Sequence, residues 1–364
     1  MLSTLRENVP LAPFTTLGIG GPARYFRQVE NESTLREVIH FAKNHDVPLF
    51  VLGGGSNLLI ADRGYPGIVA RIEVRGLQWI DEGNRVRLIA GAGENWDSVV
   101  SGCIDRGLYG VECLSGIPGS VGGTPVQNVG AYGQEISETL LRVRAYDRQT
   151  DRVVELDRSE CGFTYRTSIF NTVAMNRYIV LNVEYGLAKQ GEPAIRYPDL
   201  LRELEGVNNP TLPVVRKAVL RIRSSKAMVL QAGDPDCRSA GSFFKNPIVS
   251  EETFERIQAS TAEKVPRYPA PSGMVKTAAA WLIERAGIAK GFSLGAAGVS
   301  TKHTLALINK GGATAADVVA LAREIRKRVE DRFGIRLFVE PVLIGFDDGL
   351  AAEFRHDPGR PLES

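Results

Sequence analysis

Apolar residues recur at helical spacing through STLREVIHFAKNHD (33–46), which predicts an amphipathic helix with a Ser/Thr start and Pro48 just past its end. The next stretch, PLFVLGGGSN, reads as a strand running into a glycine loop. Apolar and β-branched runs then predict strands at GIVARI (67–72), VRLIAGAG (86–93), RVRAYDRQT (142–150), RVVEL (152–156) and YIVLNVEYGL (178–187). Between the second and third of these, NWDSVVSGCIDRG (95–107) returns to helical spacing and stops at Gly107. From Leu212 onward the pattern is mainly helical. PVVRKAVLRIRSSK (213–226) predicts a basic helix, VKTAAAWLIERAG (275–287) a second, and TAADVVALAREIRKRVEDRFG (314–334) a third, with Thr314 and Asp317 as N-cap and N3. IRLFVEPVLIGF (335–346) predicts a final strand, and the polar residues after Asp347 a frayed tail. Strands mixed with helices in this order predict an α/β or α+β fold. A domain boundary is expected near 210–225, with the last strand returning to the first half.

Composition narrows the function. Of the 364 residues 43% are hydrophobic and 24% charged, the balance of a globular chain with a sizeable core. A net charge of +2 without blocks of like charge speaks against a nucleic-acid binder. No apolar run reaches the ~18 residues of a membrane helix, and the N-terminus carries no secretory pattern. Cys103, Cys113, Cys161 and Cys237 lie far apart and form no Cys-x-x-Cys pair, so reduced thiols in a cytoplasm are expected. The histidines His40, His45, His303 and His356 show no ligand spacing, and no metal is expected.

Three glycine stretches remain. GAGENWDSVV (91–100) lacks the third glycine of a dinucleotide fingerprint and reads as a tight strand-to-helix turn. GGGSN (53–57) is no P-loop, but it is either a plain turn or a nest of N–H groups for a phosphate. GVECLSGIPGSVGGTPVQNVGAYGQEI (110–136) holds seven glycines and two prolines, and a loop this long is unusual in a compact domain unless it is functional. Two such loops near strand ends suggest a large phosphate-bearing cofactor, with flavin adenine dinucleotide (FAD) the best candidate.

Those loops, together with TTLGIGGPA (15–23), YRTS (165–168), AGSFFKNP (240–247) and the VEP of 339–341, resemble the UDP-N-acetylenolpyruvoylglucosamine reductase family. The resemblance runs over about residues 12–345 in the family's order. It implies an α+β fold with two FAD-binding subdomains of the vanillyl-alcohol-oxidase type, at 1–70 and 71–212, the second completed by 335–347. A substrate domain at 213–334 and a tail at 348–364 would follow. Cofactor contacts are expected from Gly53, Gly54, Gly55, Ser56 and Asn57. The long loop would add Ser115, Gly116, Ile117, Pro118, Gly119, Ser120, Gly122, Gly123, Thr124, Gln127, Asn128, Gly130 and Ala131. AIRYPDLLREL (194–204) looks like the substrate-covering loop of the family's loop-containing type, with Tyr197 as its tyrosine. The segment 224–242 is longer than in the family's shorter forms.

The family's substrate is an enolpyruvyl ether on a UDP-sugar, reduced by NADPH through non-covalent FAD in peptidoglycan precursor synthesis. The resemblance makes Ser242 the proton donor, Arg166 the clamp on the carboxylate, and Glu340 a hydrogen-bond donor to the enol-like intermediate. Tyr197, Lys226, Asn246, Tyr268, Lys276 and His303 match positions near the family's substrate. Without the resemblance, Ser242 reads as a turn serine, Arg166 as half of a surface ion pair and Glu340 as a strand-edge acid. The rival functions are an FAD-linked oxidase of the same superfamily, for which Cys113 would be a possible tether, and a non-catalytic nucleotide-sugar binder. A monomer is expected.

Overall fold

The computed structural model describes residues 5–270 and 273–354. Strands and helices are mixed and most strand pairs are antiparallel, as expected of α+β. Contacts divide the chain into two units. The first comprises the residues through Val9, Ala23–Gly55 and Pro66–Val229; the second comprises Pro10–Pro22, Ser56–Tyr65 and the chain from Leu230 onward.

In the first unit, strands Arg6–Pro10, Pro22–Val29, Tyr65–Ile72 and Leu49–Leu52 form one sheet in that order, the last two parallel with Val51 opposite Ala70. Helix α1 (Glu32–Asn44) buries Leu35, Val38, Ile39 and Ala42, one face of the predicted amphipathic pattern. Its cap is Asn31, whose side chain accepts the Thr34 N–H, rather than Ser33 or Thr34. A second, antiparallel sheet runs in the order Arg152–Asp157, Leu140–Asp147, Tyr178–Ala188, Arg85–Gly91, Leu77–Asp81. Along Tyr178–Ala188 the side chains from Leu181 alternate between buried and half-buried, as in a sheet with one covered face. Helix α2 (Trp96–Asp105), capped by Asn95, fills the core with Trp96, Val99, Val100, Cys103 and Ile104.

Helix α3 (Pro198–Glu203) and helix α4 (Leu212–Ser225) also belong to the first unit. The sequence predicts that α4 opens the substrate domain, but the helix packs within the first unit. Val215, Ala218, Val219 and Ile222 make a small core with Cys113, Leu200 and Leu204, and Arg216 pairs with Asp97 at 2.6 Å. Periodicity marks an apolar face, but it does not say which partner that face will meet.

The second unit carries strands Ser239–Ser242, Ala306–Asn309, Ala297–Val299 and Ser293–Leu294 in one sheet, and Ile248–Ser250, Met274–Thr277 and Arg267–Tyr268 in another. Helices α5 (Glu251–Ala259), α6 (Ala279–Arg285), α7 (Ala315–Phe333) and α8 (Asp348–Phe354) pack in this unit. α7 has the predicted capping box of Thr314 and Asp317 and ends at Gly334 with φ 68°. The helix expected from Val275 starts only at Ala279. Val275 and Thr277 are buried in alternation and pair instead with Val249 and Arg267. The expected final strand shortens to Val342–Ile344, parallel to Leu58–Ile60, so 335–347 completes the second unit and not a cofactor subdomain. The first part of the expected frayed tail is α8, anchored by buried Phe354; residues 355–364 lie outside the described residues. Among the described residues no helix is long and apolar enough to cross a membrane.

Candidate functional site

The two glycine loops of the first unit meet backbone to backbone. A Cβ built on Gly54 would lie 2.5 Å from Gly119 Cα, and one on Gly53 would lie 2.8 Å from Ser120 Oγ. Main-chain bonds hold the long loop along residues 92–97. Trp96 N–H donates to Gly119 O at 3.1 Å, Val121 N–H to Glu94 O at 2.9 Å and Gly122 N–H to Ala92 O at 2.8 Å. Gly116 (φ 72°) donates its N–H to Asp97 Oδ1 at 2.6 Å, and Gly119 has φ 126°, conformations that side chains resist. The N–H groups of Gly54 and Gly55 bond to nothing among the described residues. Close glycine backbones with unused donors are what a phosphate-bearing flavin requires, so these residues fit the group. Gly54→Ala should therefore force the loops apart at a cost of about 1–3 kcal/mol. The expected result is flavin affinity at least tenfold weaker, read from flavin fluorescence against protein concentration, together with a lowered thermal transition of the flavin-free protein, because the two backbones already touch there.

Several predicted cofactor residues hold the loop itself. Ser115 Oγ donates to Glu112 O at 2.7 Å, and Thr124 Oγ1 donates to Val121 O at 2.8 Å beside the Tyr185 hydroxyl. Asn128, at φ 44°, donates to Glu135 Oε2 and Thr164 O and accepts from Ser137 N–H. Ile117, Pro118, Gln127 and Ala131 are half-buried, Gly130 is buried and Gly123 is exposed. Gly130–Ala131 pairs with Gln134–Glu135 across a two-residue turn, Tyr132–Gly133, with φ 51° and 81°. The GGGSN loop itself is divided, since Ser56 and Asn57 fall in the second unit.

Arg166 sits at the tip of a turn closed by two bonds between Thr164 and Thr167, at 3.0 and 3.1 Å. Its φ of 55° is a left-handed conformation costing about 1–3 kcal/mol in a non-glycine residue, and such strain clusters at functional sites. Asn171 Nδ2 donates to Arg166 O at 3.1 Å, and Arg166 Nη1 would lie 3.4 Å from a Cβ on Gly130. Tyr197 caps α3, and its ring meets Tyr132 edge-on with centroids 5.6 Å apart. Lys226 Nζ donates to Asp199 Oδ2 at 2.7 Å, so Lys226 and the Tyr197 segment are brought together. Cys113 is buried, its Sγ donates to Ala194 O, and burial pushes its thiol up to about 12, which disfavours a nucleophilic tether.

In the second unit, Ser239–Ser242 pairs with Ala306–Asn309 through a bulge. Ser239 faces Ile308 and Ser242 faces Ala306, so two residues, Ala240 and Gly241, stand opposite one. Gly241 takes φ 75°, and bulges of this kind re-aim the side chain that follows. Ser242 Oγ bonds to nothing among the described residues. Glu340 N–H donates to Phe243 O at 2.9 Å, and Asn57 Nδ2 donates to Glu340 O at 3.5 Å. The turn serine and the Val-Glu-Pro motif, nearly a hundred positions apart, are thus neighbours. Tyr268 and Lys276 are a cross-strand pair. Asn246 Oδ1 accepts the Ala279 N–H at 3.0 Å and so caps α6. His303 lies in the turn before Ala306–Asn309, its N–H 3.3 Å from Ser300 Oγ. The long segment before Ser242 is pinned to that turn by Lys302 to Asp234 and by Thr301 to buried Asp236.

Tyr132 is not among the residues the sequence singles out, although a bulky residue between alanine and glycine in a loop is a signal. Arg223 is one of the basic residues of 216–226 (Arg216, Lys217, Arg221, Arg223, Lys226) that the sequence marks for attracting an anionic substrate, with nothing to set it apart from the others.

Residues 23–157 match the model of an FAD binding domain, and residues 234–344 match that of the UDP-N-acetylenolpyruvoylglucosamine reductase C-terminal domain. A protein of Thermobifida fusca named UDP-N-acetylenolpyruvoylglucosamine reductase is 51% identical over 95% of this chain and 99% of its own length. One of Mycobacterium marinum with the same name is 48% identical over 93% of this chain and 95% of its own length. The crystal structure of the Thermus caldophilus UDP-N-acetylenolpyruvylglucosamine reductase superposes with a TM-score of 0.65 at 28% identity, over 93% of this chain and 99% of that one.

Proposed function

Because this chain belongs to the UDP-N-acetylenolpyruvoylglucosamine reductase family of FAD oxidoreductases, we propose that it reduces the enolpyruvyl ether of UDP-N-acetylglucosamine to UDP-N-acetylmuramate with NADPH. FAD, held by the interlocked loops of Gly53–Gly55 and Ser115–Thr124, would supply the hydride chemistry that links NADPH to the substrate's terminal carbon. The chain's own residues handle charge and proton. Arg166 offers a planar fork to the substrate carboxylate, over which negative charge spreads as hydride arrives. Ser242 gives its hydroxyl proton to the carbon next to that carboxylate and regains one from solvent. Glu340, protonated, donates a hydrogen bond to the enol-like oxygen. Lys226 and Lys276 supply charge for the diphosphate, and Tyr268, Asn246 and His303 supply donors and a ring for the nucleotide. Tyr197 closes over the sugar diphosphate, as in the loop-containing type.

The observation that carries this reading is the pairing of Glu340 N–H with Phe243 O, which joins the acid-bearing motif to the serine's strand. The weight of the cofactor reading rests on the two interlocked glycine loops. The test is anaerobic. NADPH should bleach a yellow protein, and the enolpyruvyl substrate should restore the colour faster than air does. Restoration by air alone, or flavin that stays with the chain after acid precipitation, would return the oxidase reading.

A further inference from the structure

We propose that Arg223 is a cofactor-binding residue whose guanidinium neutralises the negative charge FAD carries after accepting a hydride. The proposal rests on the flavin reading above. Arg223 lies on α4, outside the residues that match the FAD binding domain, yet in the same unit. Its Nη2 donates to Met228 O at 2.7 Å, and the Tyr132 phenol also hydrogen-bonds to it. Its Nε is shielded from solvent and hydrogen-bonds to nothing among the described residues. A Cβ on Gly116 would lie 3.4 Å from that Nε, so the unused donor faces the backbone of the long glycine loop.

The charges around it do not balance it. Asp97 is the acid acting on it, and both Asp97 oxygens already accept from Arg216, at 2.6 and 2.9 Å, with Gly116 N–H on one of them. Arg166 acts on Arg223 with the same sign. Burial pulls the Arg223 pKa below the usual arginine value, the direction for a cation short of a counter-charge. Tyr132 and Arg166, the two neighbours that engage it, are both held at positive φ, at 51° and 55°. A half-buried guanidinium with a shielded, unused Nε, set beside a second cation whose backbone is strained and beside a glycine loop, is organised for an anion. Hydride transfer from NADPH moves two electrons and one proton onto the flavin, releases NADP⁺ and leaves one negative charge on the ring. A fixed guanidinium stabilises that reduced form over the neutral oxidised one.

Sulfite tests this without turnover, because its addition to oxidised flavin leaves the same charge on the ring. In the purified holoenzyme, Arg223→Gln should weaken sulfite binding at least tenfold and lower the two-electron potential by about 30 mV for each tenfold. Arg223→Lys, which keeps charge, should recover most of both. Unchanged sulfite affinity and potential in Arg223→Gln overturn the proposal. A tenfold loss of UDP-sugar affinity with unchanged sulfite binding also overturns it and gives the charge to the substrate. If Arg223→Gln does not fold, Arg223→Met, which keeps the packing of the stem without the charge, decides. It should bind sulfite at least tenfold more weakly, and unchanged or tighter binding overturns the proposal. A wild-type protein that holds no flavin would sink the reductase reading itself.

Discussion

Ser242→Ala is expected to bind FAD and be bleached by NADPH at near wild-type rates, yet to be reoxidised by the enolpyruvyl substrate about 10²–10⁴ times more slowly, the range for a lost general acid. The asymmetry follows from the two halves of the reaction. Only the second needs a proton on carbon, so only the second needs the hydroxyl. The substitution should not disturb the fold. The strand is held by the backbone ladder, with Ser242 opposite Ala306 and Phe243 N–H on Leu305 O at 2.8 Å, and Gly241 supplies the bulge. Ser242→Cys should recover part of the rate, since a thiol also gives up a proton. In deuterated water the new hydrogen beside the carboxylate should be deuterium, while the terminal carbon takes the flavin hydride. Stopped-flow measurement of each half separates the outcomes. A variant that loses flavin reduction but reoxidises normally would assign the hydroxyl to nicotinamide binding.

The second large effect is at Glu340. Glu340→Ala removes one preorganised donor and should lower turnover by about 10²–10³, whereas Glu340→Gln keeps shape and an N–H and should lose much less. Both variants should fold, because the main chain at this position is tied by Glu340 N–H to Phe243 O and by Asn57 Nδ2 to Glu340 O. The loss should appear in substrate-driven reoxidation and not in bleaching by NADPH. Equal, near-wild-type rates for both variants would take the side chain out of the reaction.

Local signals in the sequence carried over where the cause is local. The amphipathic face of α1, the capping box and terminal glycine of α7, and the stop at Gly107 depend on residues within a turn or two of one another. Signals that depend on a distant partner misled. Val275–Thr277 has a helix-compatible composition, but Val249 and Arg267 draw it into a sheet. α4 looked like the start of a new domain, but Cys113, Leu200 and Leu204 cover its apolar face.

The sequence by itself determined the glycine loops and the order of motifs, because those are properties of residue type and spacing. It also supplied every residue proposed for the proton, the carboxylate and the diphosphate. Only the tertiary structure decided which of them are neighbours. The bulge that turns Ser242 arises from pairing with Ala306–Asn309, and Glu340 reaches the serine's strand by a backbone bond across nearly a hundred positions. The GGGSN loop is divided between units because Val342 N–H bonds to Asn57 O at 3.0 Å, whereas Gly53 and Gly54 lie against Gly119 and Ser120. Arg223 is one basic residue among several on its helix until folding closes Gly116, Tyr132 and Arg166 around it. The charge is written in the chain, but desolvation and the loss of other partners, which give that charge its strength, exist only when distant segments pack.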